Sequence, residues 1–193
     1  MGSAPGQPAA WPAFAQVAGL RLIVPSQRFD AVAFHEATYA DAMELEPLGR
    51  MTHNFNRTKF DPPPTAPGVP YLVETSRGRT NAATSAADVL LPRTASVLTP
   101  VTGTVMVAKR YKLYGRYPDM RVEIKPQGFP DLRVVIIHLD QVTVVRGDEV
   151  SATLTAIGKP RVFPFDSVVN DEVASDDPHI HIEVKEPDAT STK

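Results

Sequence analysis

The 193-residue chain contains no cysteine. That excludes disulfides, thiolate-ligated zinc and cysteine nucleophiles, so any bound metal must be held by histidine and carboxylate. No dense Lys/Arg run is present and the formal net charge is -2, which argues against nucleic acid as a partner. No apolar run reaches membrane-spanning length, so no membrane span is expected. Helical periodicity is nearly absent; the one short candidate is ATYADAMEL, Ala37 to Leu45. No internal repeat is visible.

What is present is a core-forming composition, 42% hydrophobic, cut into short pieces by 19 prolines and 11 glycines. GLRLIV (19–24), AVAFH (31–35), YLVET (71–75), GTVMVAKRY (103–111), MRVEIK (120–125), LRVVIIHL (132–139) and IHIEV (180–184) read as strands. They are rich in β-branched residues, and Arg121, Glu123 and Lys125 alternate with Val122 and Ile124. The fold class is therefore mostly β, a sandwich or barrel-like core. Residues 1–14 are small, proline-rich and uncharged, a flexible leader left by a removed signal sequence or, equally, a tag remnant. DPPPTAPGVP (61–70) reads as an extended connector, because proline lacks the donor that a central strand or a helix needs. The expected division is an N-terminal extension with connector over 15–70, a main domain over 71–186, and a disordered tail over 187–193.

The chemistry is concentrated near the C-terminus. PHIHIEV (178–184) sets His179 and His181 two residues apart, with Glu183 two further on; on a strand these face one side. His138 and Asp88 lie upstream. Histidines with a carboxylate and an open position make up a catalytic zinc site, though such a pair on a strand is by itself a weak signal.

The order of the pieces is more specific. TSAAD (84–88), TPVTGTV (99–105), LYG (113–115), IIHLD (136–140), VVRGDEVSATLTAIG (144–158) and PHIHIEV follow one another as in the LytM/lysostaphin-type zinc metallopeptidases. The chain resembles that family over about residues 79–185. The resemblance implies an antiparallel β core of LytM type (duplicated hybrid motif-like) with the N-terminal extension packed on it. It also implies a bacterial protein of the cell envelope or extracellular space, acting on peptidoglycan peptides. Asp88 and His181 would be zinc ligands, and His138 and His179 the catalytic histidines that polarise water and stabilise the oxyanion.

The family's first motif begins with a histidine ligand, and here that position is Thr84. Three readings follow. In the first and favoured one the domain is degenerate: it lacks zinc and binds peptidoglycan stem peptides, or regulates a cell-wall hydrolase, without cutting. In the second the N-terminal portion supplies a substitute ligand, His35 or His53, and the chain is an active endopeptidase. In the third an unusual set that includes His179 holds the metal. A structural β module without metal chemistry is the alternative from another class.

Arg77 and Arg79 in TSRGRT are candidates for binding a substrate carboxylate, against a solvated basic turn. Tyr114 is a candidate groove residue, against a cover for the sheet end. The RGD at 146–148 reads as a hairpin turn, and the sequon at Asn56 is a common chance pattern. The long segment 159–177 before the HxH strand is expected to wall off one end of the groove.

Overall fold

The computed structural model describes residues 11–57, 60 and 67–187. Among these the chain is mostly β. The strands are β1 (Ala13–Val17), β2 (Leu20–Ile23), β3 (Ala31–His35), β4 (Glu46–Pro47), β5 (Gly49–Asn54), β6 (Val69–Val73) and β7 (Ala86–Leu90). They continue as β8 (Val97–Leu98), β9 (Gly103–Leu113), β10 (Tyr117–Pro126), β11 (Arg133–Asp140), β12 (Glu149–Val150), β13 (Ala156–Pro160) and β14 (His179–Lys185). One short helix, α1 (Val168–Val173), precedes β14.

All seven expected strand segments contain a strand. The large sheet runs β12-β9-β10-β11-β14-β7-β3-β6-β5, and β2-β1-β4 form a small second sheet. The sheet is antiparallel from β9 to β3, but β6 pairs in parallel with both β3 and β5, so it is mixed. It also runs across the boundary drawn at residue 70, because β3 hydrogen-bonds directly to β7.

Several sequence expectations need correction. Ala37 to Leu45 is not a helix. Its backbone donors go elsewhere: Met43 N–H to the Val184 carbonyl and Leu45 N–H to that of Thr84. The leader ends earlier than residue 14, since Ala13 and Phe14 open β1 and Phe14 is buried in the core. The connector ends earlier as well: β6 begins at Val69 and carries Pro70. Residues 1–10, 61–66 and 188–193, which hold most of the leader, connector and tail, lie outside the described residues, as does Thr58 of the sequon. The Arg146–Gly147 step is a turn, as expected. The strands β1, β4, β5, β7, β8, β12 and β13 and the helix α1 were not expected.

Period-two alternation sorts the central strands into two faces. Phe34, Val89, Ile180 and Ile182 point into the main core with Phe14, Ile124 and Ile136. The opposite face of β3 and β7 contributes Ala33 and Leu90, covered by Val169 of α1. Full burial of a valine stabilises by roughly 1.5–3 kcal/mol, so Val169 anchors the helix over this face. β7 and β14 are buried at every position, as strands covered on both sides are.

Candidate metal centre

Three neighbouring strands put one side chain each at a common point. On β14, His179, His181 and Glu183 share a face. His181 is paired with Asp88 on β7, and Asp88 with Ala33 on β3. His35 lies two residues beyond Ala33, on the same side. His35 Nε2 stands 3.1 Å from Asp88 Oδ1 and 3.2 Å from His181 Nδ1, and the last two are 2.9 Å apart. Among the described residues these three form the one group able to converge on an ion.

The donor set fits zinc. At metal–ligand distances of about 2.0–2.1 Å, tetrahedral geometry sets ligand atoms roughly 3.3 Å apart, close to the edges of this triangle. Each imidazole also has its outer nitrogen turned to an acceptor. His35 Nδ1 meets the Glu36 carbonyl at 3.0 Å, so Nδ1 carries the hydrogen and neutral His35 points a lone pair at the Asp88 carboxylate. His181 Nε2 lies 3.5 Å from Glu183 Oε2, which leaves Nδ1 for the centre. Two lone pairs and a carboxylate aimed at one another repel unless a cation or proton lies between them. Outer-shell partners of this kind are what orient metal-ligating histidines.

Electrostatics give the same picture. Burial lowers the pKa of His35, with only partial compensation from Asp88. Burial also opposes charge on His181, but hydrogen bonds and charge from Asp88 and Glu183 prevail and raise it to about 9. Burial would raise Asp88, yet the histidines around it hold its carboxyl well below the usual range. Without a metal, a proton on His181 occupies the centre.

His138 and His179 border the same cleft, a cavity of 380 Å³. Their ring centroids are 5.1 Å apart. His138 Nδ1 is 2.8 Å from Asp119 Oδ2, a buried carboxylate that also accepts from the Tyr111 hydroxyl. Nδ1–H is thereby committed and Nε2 is left for the cleft. A bulge aims this residue. Met120 pairs with Leu139 and Val122 with Ile136, so Ile137 and His138 together oppose Arg121. His138 adopts φ 64°, a conformation costly outside glycine and concentrated at functional sites. His179 Nδ1 lies 3.3 Å from Ser167 Oγ, whose hydroxyl donates to Asn170 Oδ1. Burial, helped by the neighbouring histidines, pushes His179 down to about 4. His179 Nε2 is 3.7 Å from the outer oxygen of Asp88 and stands outside the converging triad.

Thr84 is not near the centre. It is buried beside Leu45 and lines a different cavity with Gln16, Glu46 and Phe60. His53 is exposed on β5 and stacked on Phe55; it takes no part. Arg77 and Arg79 do border the cleft, and the reading as a solvated basic turn does not hold for them. Arg77 forms ion pairs with Glu74 and, at 3.8 Å, with Asp88 Oδ2. Their loop is fixed by buried Glu36, which accepts Ser76 Oγ at 2.7 Å and the backbone N–H of Arg77 and Arg79 at 3.1 and 2.8 Å. Arg79 also donates to the Glu36 carbonyl. Tyr114 lines the cleft at the β9–β10 turn, where it and Gly115 have φ 52° and 68°, both positive as a type I′ turn requires.

Sequence reasoning missed Asp119, and it offered Glu36, beside His35, only as part of a segment that could supply a ligand; the Glu36 carboxylate instead holds the 76–79 loop. Asp119 stands two residues before Arg121 on β10 with no motif to mark it, and Glu36 differs in sequence from any other acidic residue only in following His35. No protein-family model, curated protein or solved structure matches this chain.

Proposed function

We propose that the chain is a zinc-dependent amide hydrolase of LytM type, in which His35 from the N-terminal strand supplies the imidazole missing at Thr84. The observation that carries this is the convergence of His35, Asp88 and His181, with both imidazoles backed by acceptors. The non-cutting reading rested on there being two protein ligands; a third ligand, the imidazole of His35, takes that ground away. Zinc held there would supply Lewis-acid polarisation of the amide carbonyl and a lower pKa for the attacking water.

The chain's own residues do the rest. His138, fixed by Asp119, takes at Nε2 the proton that water gives up and returns it to the leaving amine. His179 is neutral at pH 7 and offers Nε2 from the other side of the cleft. Arg77 holds the outer oxygen of Asp88. Peptidoglycan peptides as substrate, and the bacterial envelope as location, are supported by the motif order alone.

The test is metal analysis joined to turnover. Purified chain should take up one zinc per molecule and release fragments from isolated wall peptides. Asp88→Ala and His181→Ala should do neither. Failure to retain zinc at micromolar concentration and pH 8 would defeat the proposal.

A further inference from the structure

One wall of the cleft is not used by the metal chemistry. Leu113 and Tyr114 from the β9–β10 hairpin, Ile137, and Phe163, Phe165 and Val168 from the segment before β14 form it. It is open to solvent: Tyr114 is 79% exposed and Val168 39%. Contiguous apolar surface of this kind marks recognition sites.

The ring arrangement narrows what would bind. Phe163 and Phe165 stack on each other at 5.1 Å, Arg161 lies over Phe163 at 5.8 Å, and Tyr117 packs on Phe165 at 4.9 Å. The phenylalanine faces are thus engaged by neighbours, and the most exposed ring is Tyr114, tilted against Phe165 at 6.3 Å. What the wall offers is aromatic rings and the aliphatic groups of Leu113, Ile137 and Val168. It also abuts the reacting centre, since Phe163 meets His138 edge-on at 5.2 Å. The same cleft is lined by Thr38, Tyr39 and Arg79, polar partners for a peptide backbone. The cavity volume suits a short peptide segment.

We infer that this wall is a side-chain subsite for a bulky apolar residue, aromatic or branched aliphatic, of a peptide lying across the cleft. The subsite rests on the hydrolase reading only in placing that residue beside the scissile bond. Its consequence is a preference that a peptide of glycine and alanine cannot satisfy.

Calorimetry on the chelator-treated chain tests this apart from catalysis. Two blocked pentapeptides serve as probes, Gly-Gly-Phe-Gly-Gly and pentaglycine. The phenylalanine peptide should bind at least about tenfold tighter, given what single apolar groups contribute in fitted pockets. Phe165→Ala should shrink that ratio. So should Tyr114→Ala, whose exposed position makes loss of folding a poor explanation. Equal binding, or a ratio unchanged in both variants, overturns the inference. So does tighter binding of an N-acetylglucosamine disaccharide than of the phenylalanine peptide. A retained preference with no cleavage by zinc-loaded chain supports the subsite and defeats the hydrolase reading. Cleavage of both peptides with equal kcat/KM does the reverse.

Discussion

Replacing His35 by alanine tests the centre at its least expected ligand. The variant keeps Asp88 and His181 but removes one of three converging atoms. Loss of a mere outer-shell partner lowers metal affinity 10–100-fold, so loss of a ligand should cost at least about 100-fold, or about 2.7 kcal/mol. A second quantity follows from the same geometry. In the metal-free protein His181 has a pKa of about 9, so at pH 7 zinc must displace its proton. That displacement weakens apparent affinity by about 50-fold at pH 7 relative to pH 9, and by about 100-fold relative to the plateau above it. The sign is fixed: affinity rises with pH, about tenfold per unit, and levels off above 9. Calorimetric zinc titrations in two buffers of different ionisation enthalpy read both effects. The expected results are about one proton released per ion at pH 7 and a large affinity loss in His35→Ala. Equal zinc affinity in the variant would refute the assignment of His35, and affinity independent of pH between 7 and 9 would refute the proton-filled centre.

Thr84→His, which the motif alone suggests as a repair, should gain no zinc affinity. The new ring would overpack a buried position away from the centre, costing about 1–3 kcal/mol, visible as a lower denaturation midpoint. Asp119→Asn should leave zinc content intact and lower kcat by roughly 100-fold or more, because His138 loses the partner that fixes its tautomer; unchanged kcat would remove Asp119 from the proton relay. Glu36→Ala should loosen the 76–79 loop, read as faster amide exchange at Arg77 and Arg79, while the backbone carbonyl that accepts from His35 Nδ1 stays in place; unchanged exchange would show that the Glu36 carboxylate does not hold the loop. In the metal-free chain, the depressed pKa of Asp88 contributes stability that is present above its unfolded value near 4 and lost as pH falls through the folded one. Urea denaturation at pH 6 and pH 3 should therefore show a steeper acid loss in the parent than in Asp88→Asn.

Much of the sheet was legible because alternation and β-branching are local. The HxH pair was marked by its spacing, and Asp88 and His138 only by the order of motifs that carries the resemblance. What stayed hidden depended on pairing. β7 holds two alanines and an aspartate among its five residues, a composition poor in strand formers, and it is a strand because β3 and β14 flank it. His35 could be named as a possible substitute ligand, but nothing set it above His53 until β3 settled beside β7. His138 reaches the cleft through a bulge that strict alternation does not anticipate. The short α1 owes its docking to Val169 meeting residues from three strands, not to any amphipathic repeat.

The distance along the chain between His35 and His181, 146 residues, has a consequence for assembly. The centre does not exist until the last long strand has been made and threaded between β11 and β7. An ion cannot guide early folding there, and long-range pairings of this kind form slowly. An ion held there would fasten the N-terminal third of the chain to its final strand, so its effect should appear in the rate of unfolding more than in the rate of folding.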